Sequence, residues 1–181
     1  MRRPRRVCSL VAVAFLMTPG RSRALEIRAG GSLGAMYHGS AGYLGIGPQL
    51  GLLFRPIPGA AFSILDTLLF LPTSHGLGVN NQISVGGGYG GERFTVTLGG
   101  MLAVYRAFTC GTSQVDGRTR CGTVVGLGPG GFAQVEVFVK ERLGFMLRGT
   151  IAWQGGDSLL PASELAWSGL AGPVLRWDTN K

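Results

Sequence analysis

Between Arg142 and Gln154 the hydrophobic and polar residues separate with a period of two. Leu143, Phe145, Leu147, Gly149, Ile151 and Trp153 share one face. Gly144, Met146, Arg148, Thr150, Ala152 and Gln154 share the other. That period belongs to a strand, whose side chains point alternately to opposite sides. The same alternation recurs from Leu25 onward and predicts strands at about 25–38, 44–55, 61–71, 79–89, 93–108, 124–139, 142–154 and 165–177. The third is the least regular: its apolar residues do not alternate, and Asp66 fits either face. Tight returns near residues 57, 90 and 141 alternate with longer loops near 41, 75, 115 and 159. The pattern predicts an all-β, eight-stranded, antiparallel up-and-down barrel.

Alternation does not say which face is inside, but composition does. The polar face is mostly Gly, Ser, Thr, Ala and Gln, and the whole chain has two lysines. Such a face coats a soluble protein poorly but lines a narrow barrel well. The charges that fall on it are Glu26, Arg28, Arg55, Glu136, Arg148 and Arg176, with Asp178 at the end of the last strand. In a mostly dry lumen these must pair, so a polar network is expected there. On the apolar face the aromatics gather at strand ends. Tyr37, Phe108, Trp153 and Trp167 fall near the longer loops; Phe54, Tyr89, Phe94, Phe145 and Trp177 fall near the short turns. Two aromatic girdles around a lipid-facing band would look like this. The alternative is the opposite orientation, a soluble, lipocalin-like periplasmic barrel binding a small apolar ligand.

The net charge of +8 is a property of the leader. Six arginines lie in the first 24 residues and all nine acids lie beyond them, so without that segment the net charge is +2. No basic cluster remains, and no nucleic-acid partner is expected. Arg2 to Arg6, the apolar stretch Val7 to Met17, and Ser22-Arg23-Ala24 read as a cleaved secretory signal peptide, residues 1–24, ahead of a barrel domain, residues 25–181. After the leader two cysteines remain, Cys110 and Cys121, in a polar segment. In an exported protein this pair reads as a disulfide.

Little else carries chemistry. Gly86-Gly88-Gly91 and Gly126-Gly128-Gly131 match a dinucleotide-binding spacing, but neither opens a helical pattern. The histidines, His38 and His75, stand at loop ends near Ser40, Ser74 and Asp66, without the spacing of a known catalytic set. No enzyme, cofactor or metal site is expected. A barrel of eight strands is just wide enough for its own side chains, which disfavours a large pore. A narrow pore and a lipid-modifying enzyme stay as minor alternatives.

With leader, strand number, loop asymmetry and girdles in place, the chain resembles the small eight-stranded outer-membrane barrels of Gram-negative bacteria, the type of the OmpA transmembrane domain and OmpX. The resemblance covers nearly all of residues 25–181 and rests on no motif. It implies an outer-membrane location, outer-membrane lipid and the barrel-assembly machinery as partners, and a structural or surface-interaction role. The sequence departs from the class in two places. Four residues follow Trp177, where the class commonly ends on an aromatic, and Pro48, Pro129 and Pro173 interrupt predicted strands.

Overall fold

The computed structural model describes the backbone of residues 24–38, 41–73, 76–112, 119–154 and 164–179, and the side chains of most of them. The predicted leader up to Arg23 lies outside the described residues. The eight strands are β1 (Ala24–His38), β2 (Ala41–Arg55), β3 (Gly59–Thr73), β4 (Gly76–Gly90), β5 (Phe94–Thr112), β6 (Thr119–Phe138), β7 (Leu143–Gln154) and β8 (Glu164–Asp178). Each pairs antiparallel with the next, and β8 pairs with β1, so the sheet is a closed barrel. Thr179 extends that last seam by donating its backbone N–H to Leu25 O at 3.0 Å.

The register sets the barrel's width. From Arg28 a row of paired residues runs through Gly51, Leu65, Ser84, Met101, Gly130, Ala152 and Ala166, and returns to β1 at His38, ten residues further on. Eight strands with that stagger tilt by about 40°. With about 3.3 Å per residue and about 4.8 Å between strands, heights along the barrel axis follow. Tyr37, Trp153 and Trp167 then form one ring, and Phe54, Tyr89, Phe94, Phe145 and Trp177 another about 25 Å away. That spacing is the height of a hydrocarbon band.

The prolines fit because an antiparallel residue bonds to only one of its two neighbours. Pro48 stays in register with Gly31 on β1, while the β2–β3 ladder has a gap between Ile46–Phe70 and Gln49–Thr67. Pro173 stays opposite Phe145, while the β8–β1 ladder skips from Gly30–Val174 to Leu33–Ala171. Pro129 pairs with Leu102, and the β6–β7 ladder begins one residue later, at Gly130. Each ring nitrogen faces the side where pairing is already broken.

The loop asymmetry is smaller than the sequence implies. Only residues 39–40 separate β1 from β2, and only 74–75 separate β3 from β4. The glycine-rich segments that read as loops are strand, since backbone pairing does not require side chains that alternate. At the same end, 113–118 and 155–163 remain longer connections. At the other end the turns are 56–58, 91–93 and 139–142. Gly59, with φ of 86°, closes the first of these in a conformation that other residues rarely adopt.

The ambiguous third strand is resolved. Ala61, Ser63, Leu65, Thr67, Leu69 and Leu71 are buried inside the barrel, whereas Phe62, Ile64 and Asp66 are exposed on its outer wall.

Candidate functional site: the lumen and its charged mouth

The polar face lines the lumen, and three layers can be distinguished along it. Nearest the short turns, Arg28 bridges two acids. Its Nη2 lies 2.8 Å from Glu26 Oε2, and its Nη1 pairs with Glu136 Oε2. Arg55 Nη2 approaches the other Glu26 oxygen at 3.1 Å. Gln134 donates to Glu136 Oε1 at 2.9 Å and accepts from Gln49 Nε2 at 3.4 Å. Arg28, Glu26 and Glu136 are each at most 4% exposed. Charges so deeply buried persist only when they are paired and hydrogen-bonded.

Arg148 occupies the next layer alone. It donates to Thr67 Oγ1 at 2.9 Å and to Ser84 Oγ, and its guanidinium lies 4.9 Å from the centre of the Phe132 ring. Among the described residues no carboxylate pairs with it. Two hydroxyl acceptors and a ring face replace the anion, which spreads the charge without neutralising it. Arg176 is different again. It lies at the mouth, donating from Nε to Glu141 O at 2.5 Å and stacking 4.1 Å above Phe138, whose ring Arg28 also approaches at 5.0 Å. Of the six predicted network residues, four therefore join one ion-paired cluster, and two stand apart from it.

The third layer is more apolar than the sequence implies. Leu69, Leu71, Met36 and Tyr105 pack together, and Asn80 donates to Met36 Sδ at 3.0 Å. Glycines supply the matching hollows. A Cβ at Gly45 would meet Leu71 Cδ2 at 2.7 Å, and one at Gly86 would meet Phe132 Cζ at 2.8 Å. At these positions glycine is the counter-shape of large side chains, whereas at Gly34, Gly47 and Gly88 it lets a neighbouring strand's backbone approach; among the described residues the lumen is largely filled. An internal void of about 10 Å³ lies between Met36, Asn80, Gln82 and Ser168, about the volume of one water. A wider cup of about 430 Å³ opens at the short-turn end, lined by Glu26, Arg55, Glu92, Glu141, Arg142, Arg176, Trp177 and Asp178.

Of the predicted girdle, Tyr37, Tyr89, Phe94, Phe145, Trp153, Trp167 and Trp177 are exposed on the outer wall, and Phe54 is half-buried there. Tyr37 and Trp167, paired across β1 and β8, stack with ring centres 4.3 Å apart. The side chain of Phe108 lies outside the described residues, as do those of Cys110 and Cys121. The backbone register sets the two cysteines directly opposite each other on β5 and β6. His75, Ser74 and Ser40, and the His38 side chain, also lie outside them. Both glycine motifs run through strand, β4 and β6, with no helix after them. Among the described residues no three His, Cys, Asp or Glu side chains converge to hold a metal. Phe132, Phe138, Thr67 and Ser84 complete the network. Parity alone puts Phe132, Phe138 and Ser84 inside, but the placement of Thr67 on the irregular third strand, and the partners of all four, depend on register.

A closed, all-antiparallel barrel of eight strands with a stagger of ten and a side-chain-filled lumen is the fold of the small outer-membrane barrels. Solved structures agree. Neisserial surface protein A matches with a TM-score of 0.52 at 16% identity, over 84% of this chain and 95% of that one. Ail, the attachment invasion locus protein of Yersinia pestis, matches with a TM-score of 0.50 at 13% identity, over 87% of this chain and all of that one. No protein-family model matches the sequence, and comparison with curated proteins gives no match.

Arg28→Ala, which leaves Glu26 and Glu136 without their shared cation, should destabilise the barrel by about 3–5 kcal/mol. Urea titration, read by gel mobility of unboiled samples, should show unfolding at lower urea. Neutralising the whole cluster (Arg28→Met, Arg55→Met, Glu26→Gln, Glu136→Gln) should recover most of the loss. Unfolding of Arg28→Ala at the wild-type urea concentration would contradict this role.

Proposed function

We propose that the chain is an integral outer-membrane protein, non-catalytic, whose barrel is a rigid scaffold for a structural or surface-interaction role at its loop end. The observation that carries this reading is the outer wall. Leu44 is 72% exposed, Leu147 64% and Leu33 61%, within an apolar surface bounded by the two aromatic rings and interrupted, among the described residues, at Asp66 and Asn81. A water-soluble monomer does not present such a surface. The lipocalin-like alternative has two further difficulties: among the described residues its outer wall would carry only Asp66 and Arg106 as charges, and the void of about 10 Å³ between Met36, Asn80, Gln82 and Ser168 is too small for an apolar ligand. A narrow pore meets the same filled lumen.

On this reading the leader is cleaved on export, outer-membrane lipid surrounds the wall, and the barrel-assembly machinery inserts it. The loops at 113–118 and 155–163 share one end, the end that would face outward from the cell with the short turns in the periplasm. Attachment, which the name of Ail records for that protein, is one role such an end serves.

Single cysteines, placed in a chain with Cys110 and Cys121 replaced by serine, test the orientation. At 145 and 147 they should react with a lipid-phase probe, and at 144 and 148 they should not. The reverse pattern would turn the barrel inside out. We also propose a disulfide between Cys110 and Cys121, because their backbones are paired across adjacent antiparallel strands, at a Cα separation within disulfide range. It would add about 2–3 kcal/mol of stability. Peptide mapping of the exported protein without reduction should recover the linked pair; two alkylatable thiols there would refute it.

A further inference from the structure

The outer wall contains one polar line. Asp66 on β3 points outward, and its row neighbours are Leu50 and Ile83. One strand on and two residues up lies Asn81, and the same step again reaches Arg106 on β5. Each step rises about 8 Å along the barrel axis and moves sideways by only about 1 Å. The three residues therefore stand almost vertically above one another. Asp66 lies about midway between the two aromatic rings, Asn81 in the half towards the loops, and Arg106 just above the upper ring. Asp66 and Arg106 are the only charged side chains among the described residues of the outward-facing strand positions. Neither makes a hydrogen bond or ion pair among those residues, and Asn81 Oδ1 is enclosed without a partner.

An acid at the bilayer midplane is destabilising wherever lipid is its only neighbour. Arg106, at headgroup height, meets lipid phosphates, but Asp66 lies where acyl chains end and offer no donor. A second copy does no better. Two copies in one membrane share an axis along its normal, so each residue meets residues of its own height. At the height of Asp66 the rest of the wall is Gly31, Pro48, Val85, Gly100, Ala133, Gly149 and Ala171, none with a side-chain donor. Stripe against stripe would set Asp66 on Asp66 and Arg106 on Arg106.

We propose that the β3–β5 wall docks a membrane-embedded segment of a different protein, one that presents a lysine or arginine to Asp66 at mid-bilayer and hydrogen-bonding side chains to Asn81. This rests on the membrane reading above. An intramembrane acid facing outward finds in such a partner the counter-charge that lipid and self-association both fail to supply. The partner in turn is spared an unpaired cation in the bilayer, which gives the contact specificity.

The test uses the full chain in the organism that encodes it, with a photoreactive amino acid at Leu68 or Ile83 beside Asp66, and at Leu147 on the opposite wall as control. The expected result is a discrete adduct from the first two positions only, with the cross-linked peptide carrying Lys or Arg within a membrane-spanning segment. Asp66→Leu should reduce that adduct by about tenfold or more while leaving the isolated barrel in detergent at least as resistant to urea. A merely structural Asp66 would behave oppositely. Adducts of lipid alone, of two copies of this chain, or none at all, from a heat-modifiable barrel in the outer membrane, would overturn the proposal and leave the membrane reading standing. A chain that never reaches that membrane as a barrel would overturn both.

Discussion

On the membrane reading, everything in this molecule depends on the need to leave no backbone N–H or C=O without a partner where water is absent. A sheet in hydrocarbon meets that need only by closing on itself. Here closure is achieved with eight strands and a stagger of ten, which together fix the radius and leave a lumen one layer of side chains wide. Where a proline removes a donor, as at Pro48, Pro129 and Pro173, the ladder on that side is already interrupted, and the opposite seam continues.

The narrow radius dictates what fills the inside. Large side chains from one strand need hollows opposite, which is why Leu71 faces Gly45 and Phe132 faces Gly86. Charges admitted to such a space must satisfy one another. Arg28, Glu26, Glu136 and Arg55 do so as ions, whereas Arg148 relies on Thr67, Ser84 and the face of Phe132. A network with a buried cation between two acids specifies one packing of the lumen, at a cost in desolvation that an apolar filling would avoid. At the short-turn mouth its members Glu26 and Arg55 reach the open cup, beside Arg176.

The strands were legible because a half-buried strand writes its period directly into the sequence, as in Leu143 to Gln154, and the faces of seven strands follow from parity. β3 was not, for a physical reason. Its inner positions Leu65, Leu69 and Leu71 belong to apolar clusters inside the lumen, so both of its faces read as hydrophobic, and only pairing with β2 and β4 turns Asp66 outward. Residues such as Gly42 and Gly78 hid the length of β2 and β4, since glycine carries no facing information. The lumen partners of Arg148 come from β3 and β4, at sequence distances that no local pattern encodes. The vertical line of Asp66, Asn81 and Arg106 likewise exists only once the stagger is known.

On the membrane reading, the aromatic face meets lipid at two interfacial levels. Its three tryptophans, Trp153, Trp167 and Trp177, all belong to the girdles, so the native chain carries its own probe. Tryptophan fluorescence should be measured in vesicles of lipids brominated either near the acyl carbonyl or near the chain end. Strong quenching by the shallow bromines and weaker quenching by the deep ones is the predicted result. Tryptophans insensitive to both would mean that the apolar face does not meet lipid, and the barrel would have to be read the other way round.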